Sequence, residues 1–220
     1  MTKFNRWTII HALVILIGVT LSLIGRNLWI LVFTGIGSFL LLIFLTWKSW
    51  TAVGHFGAAN WVTLFRLFGV CLIGGFALSV ANTVISIFGF ILLISDGIDG
   101  WIASRMKLTS EFGEMFDKEI DAFFLLIICM IIIDKDLLGP WILIAGLLRY
   151  LFVLLLRWKR PGVQKEIKSN QARLIYIIVM GALLISLLPS DVIRVSLAVG
   201  ATALITYSFS ADFKWIFSRK

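Results

Sequence analysis

The chain has 220 residues, of which 60% are hydrophobic and only 15% are charged. This composition, with a mean hydropathy of +1.01, excludes an ordinary soluble globular protein and predicts an integral membrane protein. The net charge of +8 does not indicate nucleic-acid binding, because the lysines and arginines gather in a few short loops, as in membrane proteins. Neither of the two cysteines, Cys71 and Cys129, has the spacing of a zinc site or a disulfide framework.

Windows of about 20 apolar residues predict eight transmembrane helices. They cover residues 7–24, 28–46, 61–81, 84–104, 114–133, 139–157, 173–188 and 191–209. We therefore expect an all-α fold, a polytopic bundle of transmembrane helices. The first window is longer than a typical signal segment and no cleavage pattern follows it, so we expect it to be a helix of the mature protein.

The basic residues predict how the bundle is oriented. With eight spans both termini lie on one side of the membrane, and that side receives fourteen lysines and arginines against three on the other. We therefore expect a multi-pass protein of a bacterial-type cell membrane whose termini and 105–113 and 158–172 loops are cytoplasmic.

Two pairs of aspartates interrupt the fourth and fifth predicted helices. A charged carboxylate at the centre of a bilayer costs about 2.5 to 3.5 kcal/mol, so these acids need compensation. On each helix the acids share one face with small residues, namely Asp96, Asp99, Gly100 and Ala103 on one and Gly113, Asp117 and Asp121 on the other. Because the two helices are antiparallel neighbours, the acidic stripes face each other near the cytoplasmic interface. Clustered carboxylates without nearby histidine or cysteine favour Mg²⁺ or Mn²⁺.

The pattern D-x2-D-G-x2-A-x9-G-x3-D-x3-D, which these seven residues fill, resembles the signature of the CDP-alcohol phosphotransferase family. A second segment, A-N-W-V-T-L-F-R, is similar to the P-N-x-L-T-x-x-R that opens the family's first core helix, with matches at Asn60, Thr63 and Arg66. The resemblance implies a six-helix core at residues 58–220, preceded by an additional transmembrane hairpin at residues 1–57. The family usually has arginine directly after the alanine, whereas this chain has Ser104 there and Arg105 one position later.

The resemblance implies transfer of a phosphoalcohol group, such as phosphatidyl from CDP-diacylglycerol, to an alcohol acceptor with release of CMP, in phospholipid biosynthesis. By the same likeness Asp96, Asp99, Asp117 and Asp121 hold one or two ions of Mg²⁺ or Mn²⁺, and Asp121 is also the general base. Its partners would be a CDP-alcohol lipid donor, an alcohol acceptor, membrane lipids and a second copy of the chain in a homodimer. Family position also implies substrate contacts from Asn60, Thr63, Gly100, Ala103, Arg105, Ser110 and Gly113. For Ser110 a second role, as the N-cap of the fifth helix, stays open.

Arginines and lysines near the predicted site offer a place for a phosphate on the acceptor. We expect Arg149, Arg157 or Lys168 to bind it, with Arg149 the best candidate because an arginine inside a span seldom lacks a functional partner. The plain alternative for the 157–173 stretch is a cytoplasmic loop that touches anionic headgroups.

Two other functions compete with the phosphotransferase. Intramembrane carboxylates also mark ion paths, so a cation- or proton-coupled transporter is the alternative from another class. A transporter favours acids near the midplane and an inverted repeat, whereas these acids cluster at one interface. A family member that kept the fold and lost the activity is the third option, which the departure at Ser104 permits.

Overall fold

The computed structural model describes residues 3–47, 50–51, 55–106, 110–159, 170–188 and 191–218. For residues 3, 97–106, 170, 215, 216 and 218 it describes the backbone alone. Over these parts of the chain the secondary structure is helical, without strands.

Eight α-helices and two short 3-10 helices make up the described residues. The α-helices are α1 (Lys3–Gly25), α2 (Leu28–Leu45), α3 (Ala58–Phe76), α4 (Asn82–Met106), α5 (Glu111–Asp134), α6 (Leu143–Lys159), α7 (Asn170–Ser186) and α8 (Asp191–Ser218). Of the 3-10 helices, Ala77–Ser79 directly follows α3, and Pro140–Ile142 directly precedes α6. The all-α polytopic bundle expected from the apolar windows is confirmed.

Five of the described helical segments are long and apolar enough to cross a membrane, from α1, α2, α3, α6 and α8. Shorter apolar stretches, Asn82–Asp96 and Gln171–Ser186, lie in α4 and α7. The first half of α5 instead carries the charged residues around Asp117 and Asp121. The helix α8 continues past the predicted span 191–209, because Phe213 beyond that span still packs on Phe152 of α6, with ring centroids 5.7 Å apart.

The helix α5 lies at the centre of the bundle. Nearly all of its side chains from Glu119 to Ile132 are buried, and α2, α3, α6 and α7 pack around it. Glycines on three of these neighbours allow the close approach that membrane helices use where small residues meet. A side chain at Gly35 of α2 would overlap the ring of Phe123, and one at Gly146 of α6 would come within 3.0 Å of the Leu126 Cα atom.

Polar contacts hold the two N-terminal helices together. The Trp7 indole of α1 donates a hydrogen bond of 2.9 Å to the Ser38 carbonyl of α2, and the His11 Nδ1 atom lies 2.7 Å from the Ser38 hydroxyl. Asn27 caps the start of α2 by accepting from the Trp29 amide. The pair then packs on the rest of the bundle through α1 against α6 and α2 against α3 and α5. The division of the chain at residue 57 into a hairpin and a core stays a prediction.

The Gly35 contact generates a stability prediction. Gly35→Ala should lower the melting temperature in detergent, because the added methyl group overlaps the fully buried Phe123 ring and overpacking costs about 1 to 3 kcal/mol. The control is Gly37→Ala on the same helix, where a Cβ atom meets nothing within 4 Å. Equal melting temperatures for the two variants would show that α2 does not press on α5 at this point.

Candidate active site

Three aspartates and one arginine meet inside the bundle. The Arg66 guanidinium of α3 donates through Nη1 to Asp96 Oδ1 of α4 at 2.9 Å and to Asp117 Oδ1 of α5 at 2.7 Å. Its Nη2 atom donates to Asp121 Oδ1, also on α5. One arginine therefore connects carboxylates from two helices.

Local sequence explains why these side chains meet. Asp117 and Asp121 are four residues apart on α5, so they lie on the same face of that helix. The helix α3 packs against both α4 and α5, and Gly69 allows the close contact with α4, since a Cβ atom there would lie 2.7 Å from Leu92. Arg66 lies one turn before Gly69 and so reaches both neighbours.

Burial differs across the cluster. The Arg66 side chain is 1% exposed and that of Asp96 is 5% exposed, whereas those of Asp121 and Asp117 are 21% and 36% exposed. The cluster is thus closed on the side of α3 and open along the face of α5. A polar molecule can approach the carboxylates from that open face.

The cluster remains negatively charged. Among the side chains that the structure describes, its three carboxylates outnumber the single buried guanidinium by two charges. A second arginine, Arg173 of α7, donates to Asp96 Oδ2 at 3.2 Å, but its side chain is 55% exposed. Since unpaired buried charge is costly, this excess favours a further cation.

The donor set fits a hard divalent cation. Asp96, Asp117 and Asp121 each offer an oxygen, and these oxygens lie within 4.8 Å of one another. Magnesium binds oxygen at about 2.1 Å, so two ligands of one ion are at most about 4.2 Å apart, and small movements of these side chains would bring their oxygens within that limit. The side chain of Asp99, the fourth predicted ligand, lies outside the described part of the chain.

Three of the predicted substrate-binding residues come together at the start of α5. Ser110 accepts a hydrogen bond of 3.0 Å from the Gly113 amide and so is the N-cap of α5, one of the two roles left open. A Cβ atom on Gly113 would lie 2.8 Å from Asn60 Oδ1, which shows how closely α3 approaches here. Thr63, one turn further along α3, is buried and donates to the Ala59 carbonyl at 3.0 Å.

Other predicted residues are only partly described. Gly100, Ala103 and Arg105 belong to α4, but the structure describes only their backbone. Lys168 lies entirely outside the described residues. Arg157 lies in the last turn of α6 and is partly exposed. The expectations for these residues stay predictions.

Arg149 has a partner of its own. Its Nη2 atom donates to Glu119 Oε1 at 2.7 Å, and the two side chains are 15% and 2% exposed. Glu119 follows Asp117 by two residues on α5, so it points to a different face of that helix. The role of Arg149 as an acceptor contact stays a prediction, and this buried pair is a second role for it.

Two residues of the cluster were not among the expected site residues. Arg66 matched the family's first-helix segment and is an arginine inside a predicted span, which is a signal that could have placed it in the site. Arg173 ends the basic stretch of residues 157–173, and nothing local in the sequence distinguishes it from its neighbours. Only the packing of α7 against α4 brings it to Asp96.

The comparisons with known proteins identify a family that covers the residues of the cluster. The family described as CDP-alcohol phosphatidyltransferase matches residues 56–209, which include Arg66 and all four predicted metal ligands. An uncharacterized protein of Aquifex aeolicus is 41% identical over 68 residues, which cover 29% of this chain and 33% of that protein. The match thus spans about a third of the length of that curated relative. No solved structure matches the chain. Because the family match extends over well more than half of the residues, the chain belongs to the CDP-alcohol phosphatidyltransferase family.

Proposed function

We propose that this protein transfers a phosphoalcohol group, in particular a phosphatidyl group from CDP-diacylglycerol, to an alcohol acceptor and releases CMP. The observation that carries the proposal is the convergence of Asp96, Asp117 and Asp121 around Arg66, within the residues that match the family. The transporter alternative has no comparable support, because these carboxylates gather in a single cluster open on one face.

The aspartates are proposed to hold Mg²⁺ or Mn²⁺ together with the pyrophosphate of the donor. Asp96, Asp117 and Asp121 supply the oxygens described above, and Asp99 is the fourth ligand by family position. A bound divalent ion neutralises the charge that develops on the departing CMP and orients the pyrophosphate. The excess negative charge of the cluster supports this proposal.

Asp121 is proposed as the general base. Arg66 binds its Oδ1 atom, and among the described residues no hydrogen bond occupies Oδ2. That oxygen can accept the proton of the acceptor hydroxyl while the acceptor oxygen bonds to the phosphorus that carries the alcohol group. The bridging phosphorus–oxygen bond then breaks, and CMP leaves.

The remaining predicted residues divide between donor and acceptor. Asn60, Thr63, Ser110 and Gly113, with Gly100 and Ala103, are proposed to line the site of the CDP group, which the close approach at Gly113 supports. Arg105, Arg149, Arg157 and Lys168 are proposed to contact phosphates of the substrates. We further propose a homodimer whose active sites face the cytoplasm, the side to which the basic residues point.

The direct test is CMP release from CDP-diacylglycerol in the presence of Mg²⁺ or Mn²⁺. We expect turnover that EDTA abolishes and that Asp121→Asn lowers by about 10²- to 10⁴-fold, since the amide cannot take a proton. The matched control is Asp136→Asn. Asp136 is an exposed acid just beyond the C-terminal end of α5, and its backbone has a positive φ, which asparagine also adopts readily. A wild-type protein that binds no CDP-alcohol with either metal would overturn the proposal, and one that binds without turnover would indicate a family member that lost its activity.

Arg66 is proposed to hold the carboxylates in place. Arg66→Met should lower the melting temperature, because removing one partner of a buried ion pair costs about 3 to 5 kcal/mol. The melting temperature of Arg66→Lys should lie between those of wild type and Arg66→Met, since lysine keeps the charge but lacks the planar guanidinium that binds three carboxylates. In thermal melts, Mg²⁺ should raise the melting temperature of Arg66→Met more than that of wild type, because the ion replaces missing positive charge. If Mg²⁺ shifts neither protein, the aspartates do not form a metal site.

The role of Arg149 can be separated from its pairing with Glu119. Arg149→Met should raise the apparent KM for a phosphorylated acceptor such as glycerol 3-phosphate by about ten-fold or more, since a charged hydrogen bond contributes about 1.5 to 3 kcal/mol. The same change combined with Glu119→Gln also removes the charge of the buried carboxylate that Arg149 binds, and should restore stability without restoring KM. Glu119→Gln alone serves as the control. A KM that Arg149→Met leaves unchanged would end the idea of an acceptor contact.

A further inference from the structure

Tyr176 of α7 has a buried hydroxyl group that no hydrogen bond satisfies. Its Oη atom is buried and has no partner among the described residues. Buried tyrosine hydroxyls normally find one, because an unpaired polar group loses the hydrogen bond it made with water. A buried hydroxyl without a partner therefore indicates one of two things. Either the protein tolerates the loss of this hydrogen bond, or the hydroxyl bonds to a ligand that binds there.

The position of Tyr176 favours a binding partner. It follows Arg173 by three residues, so the two side chains share a face of α7, and Arg173 reaches Asp96. The charges of Asp121, Arg66, Asp96 and Asp117 all act on the Tyr176 hydroxyl. Since α7 also packs against α4 and α5, the helices that carry the aspartates, that hydroxyl lies near the carboxylate cluster.

Hydrogen bonds from two arginines already occupy four of the six oxygens of the three aspartates, and none of the six accepts a bond from Tyr176. Arg66 donates to one oxygen of each of the three aspartates, and Arg173 donates to the second oxygen of Asp96. A neutral donor such as a phenol can serve an incoming anion without neutralising the carboxylates. A further arginine or lysine at this position would instead compete with a metal ion for them.

We propose that the Tyr176 hydroxyl donates a hydrogen bond to a phosphate oxygen of the CDP-linked donor, which makes Tyr176 a substrate-binding residue. This inference rests on the proposed function, because it takes the diphosphate as the anion that approaches the aspartates. The chemistry is that of a neutral hydroxyl donor beside a metal-bound phosphate.

Tyr150 of α6 provides an internal comparison. Its hydroxyl is also buried without a partner, but the charges that act on it are those of Glu119 and Arg149. Tyr150 therefore matches Tyr176 in having a buried hydroxyl without a partner among the described residues, although its ring is more deeply buried, and it differs in the charged residues that act on that hydroxyl. Tyr150→Phe is the control variant for Tyr176→Phe.

The experiment measures CDP binding by calorimetry in the presence of Mg²⁺, together with melting temperature and the separate KM values for CDP-diacylglycerol and acceptor. Tyr176→Phe should weaken CDP binding and raise the donor KM by about ten-fold or more, because a hydrogen bond to a charged group is lost. The acceptor KM should stay the same. The melting temperature should stay equal or rise, since the variant removes an unsatisfied buried hydroxyl. If Tyr176 only supported the fold, weaker donor binding in Tyr176→Phe would be accompanied by a lower melting temperature.

Three results would overturn the inference. Unchanged CDP binding and donor KM in Tyr176→Phe, with an active wild type, would show that the hydroxyl does not touch the donor and would leave the proposed function intact. An equal loss in Tyr150→Phe would indicate a general effect of removing a buried hydroxyl. A wild type that neither binds CDP nor releases CMP would remove the proposed function and, with it, the role of Tyr176.

Discussion

The structure of the site depends on one guanidinium that binds three carboxylates. Arg66 connects α3 to α4 through Asp96 and to α5 through Asp117 and Asp121. Without Arg66, three acids would lie in an apolar bundle, and among the described residues the half-exposed Arg173 would be the remaining positive charge bound to them. The free energy needed to bury them would then approach the net stability of a small domain. The same ion pairs hold the carboxylates close together, as the proposed metal site requires. Stability and the proposed chemistry thus share one set of contacts.

Much of this arrangement follows from patterns that are local in the sequence. The apolar windows predict all eight helices, and the spacing of Asp117 and Asp121 places both on one face of α5. Ser110 also precedes the first turn of α5 as an N-cap should, and the structure confirms that role. These features depend on neighbours within one or two helical turns, which the order of residues determines.

Contacts between distant helices could not be predicted in the same way. Arg66 is 55 residues from Asp121, and Arg173 is 77 residues from Asp96. Whether such residues meet depends on how each helix is rotated about its axis. The sequence does not determine this rotation, because apolar side chains cover both the lipid-facing and the buried sides of a membrane helix. Arg149 illustrates this, because its position inside a span indicated a functional partner, yet the pairing with Glu119 depends on the packing of α5 against α6.

The contact between Gly35 and Phe123 has a consequence for how the first two helices act on the rest of the protein. In a bilayer the apolar surface that these helices cover would otherwise meet lipid, so covering it yields little hydrophobic stabilisation. These helices act on α5 through steric contact, since Gly35 of α2 packs against Phe123, which lies two residues beyond Asp121. Because side chains two residues apart point in nearly opposite directions, α2 acts as a stop against the turning of α5. We therefore expect a larger side chain at Gly35 to act on the aspartates of α5 through a small rotation of that helix.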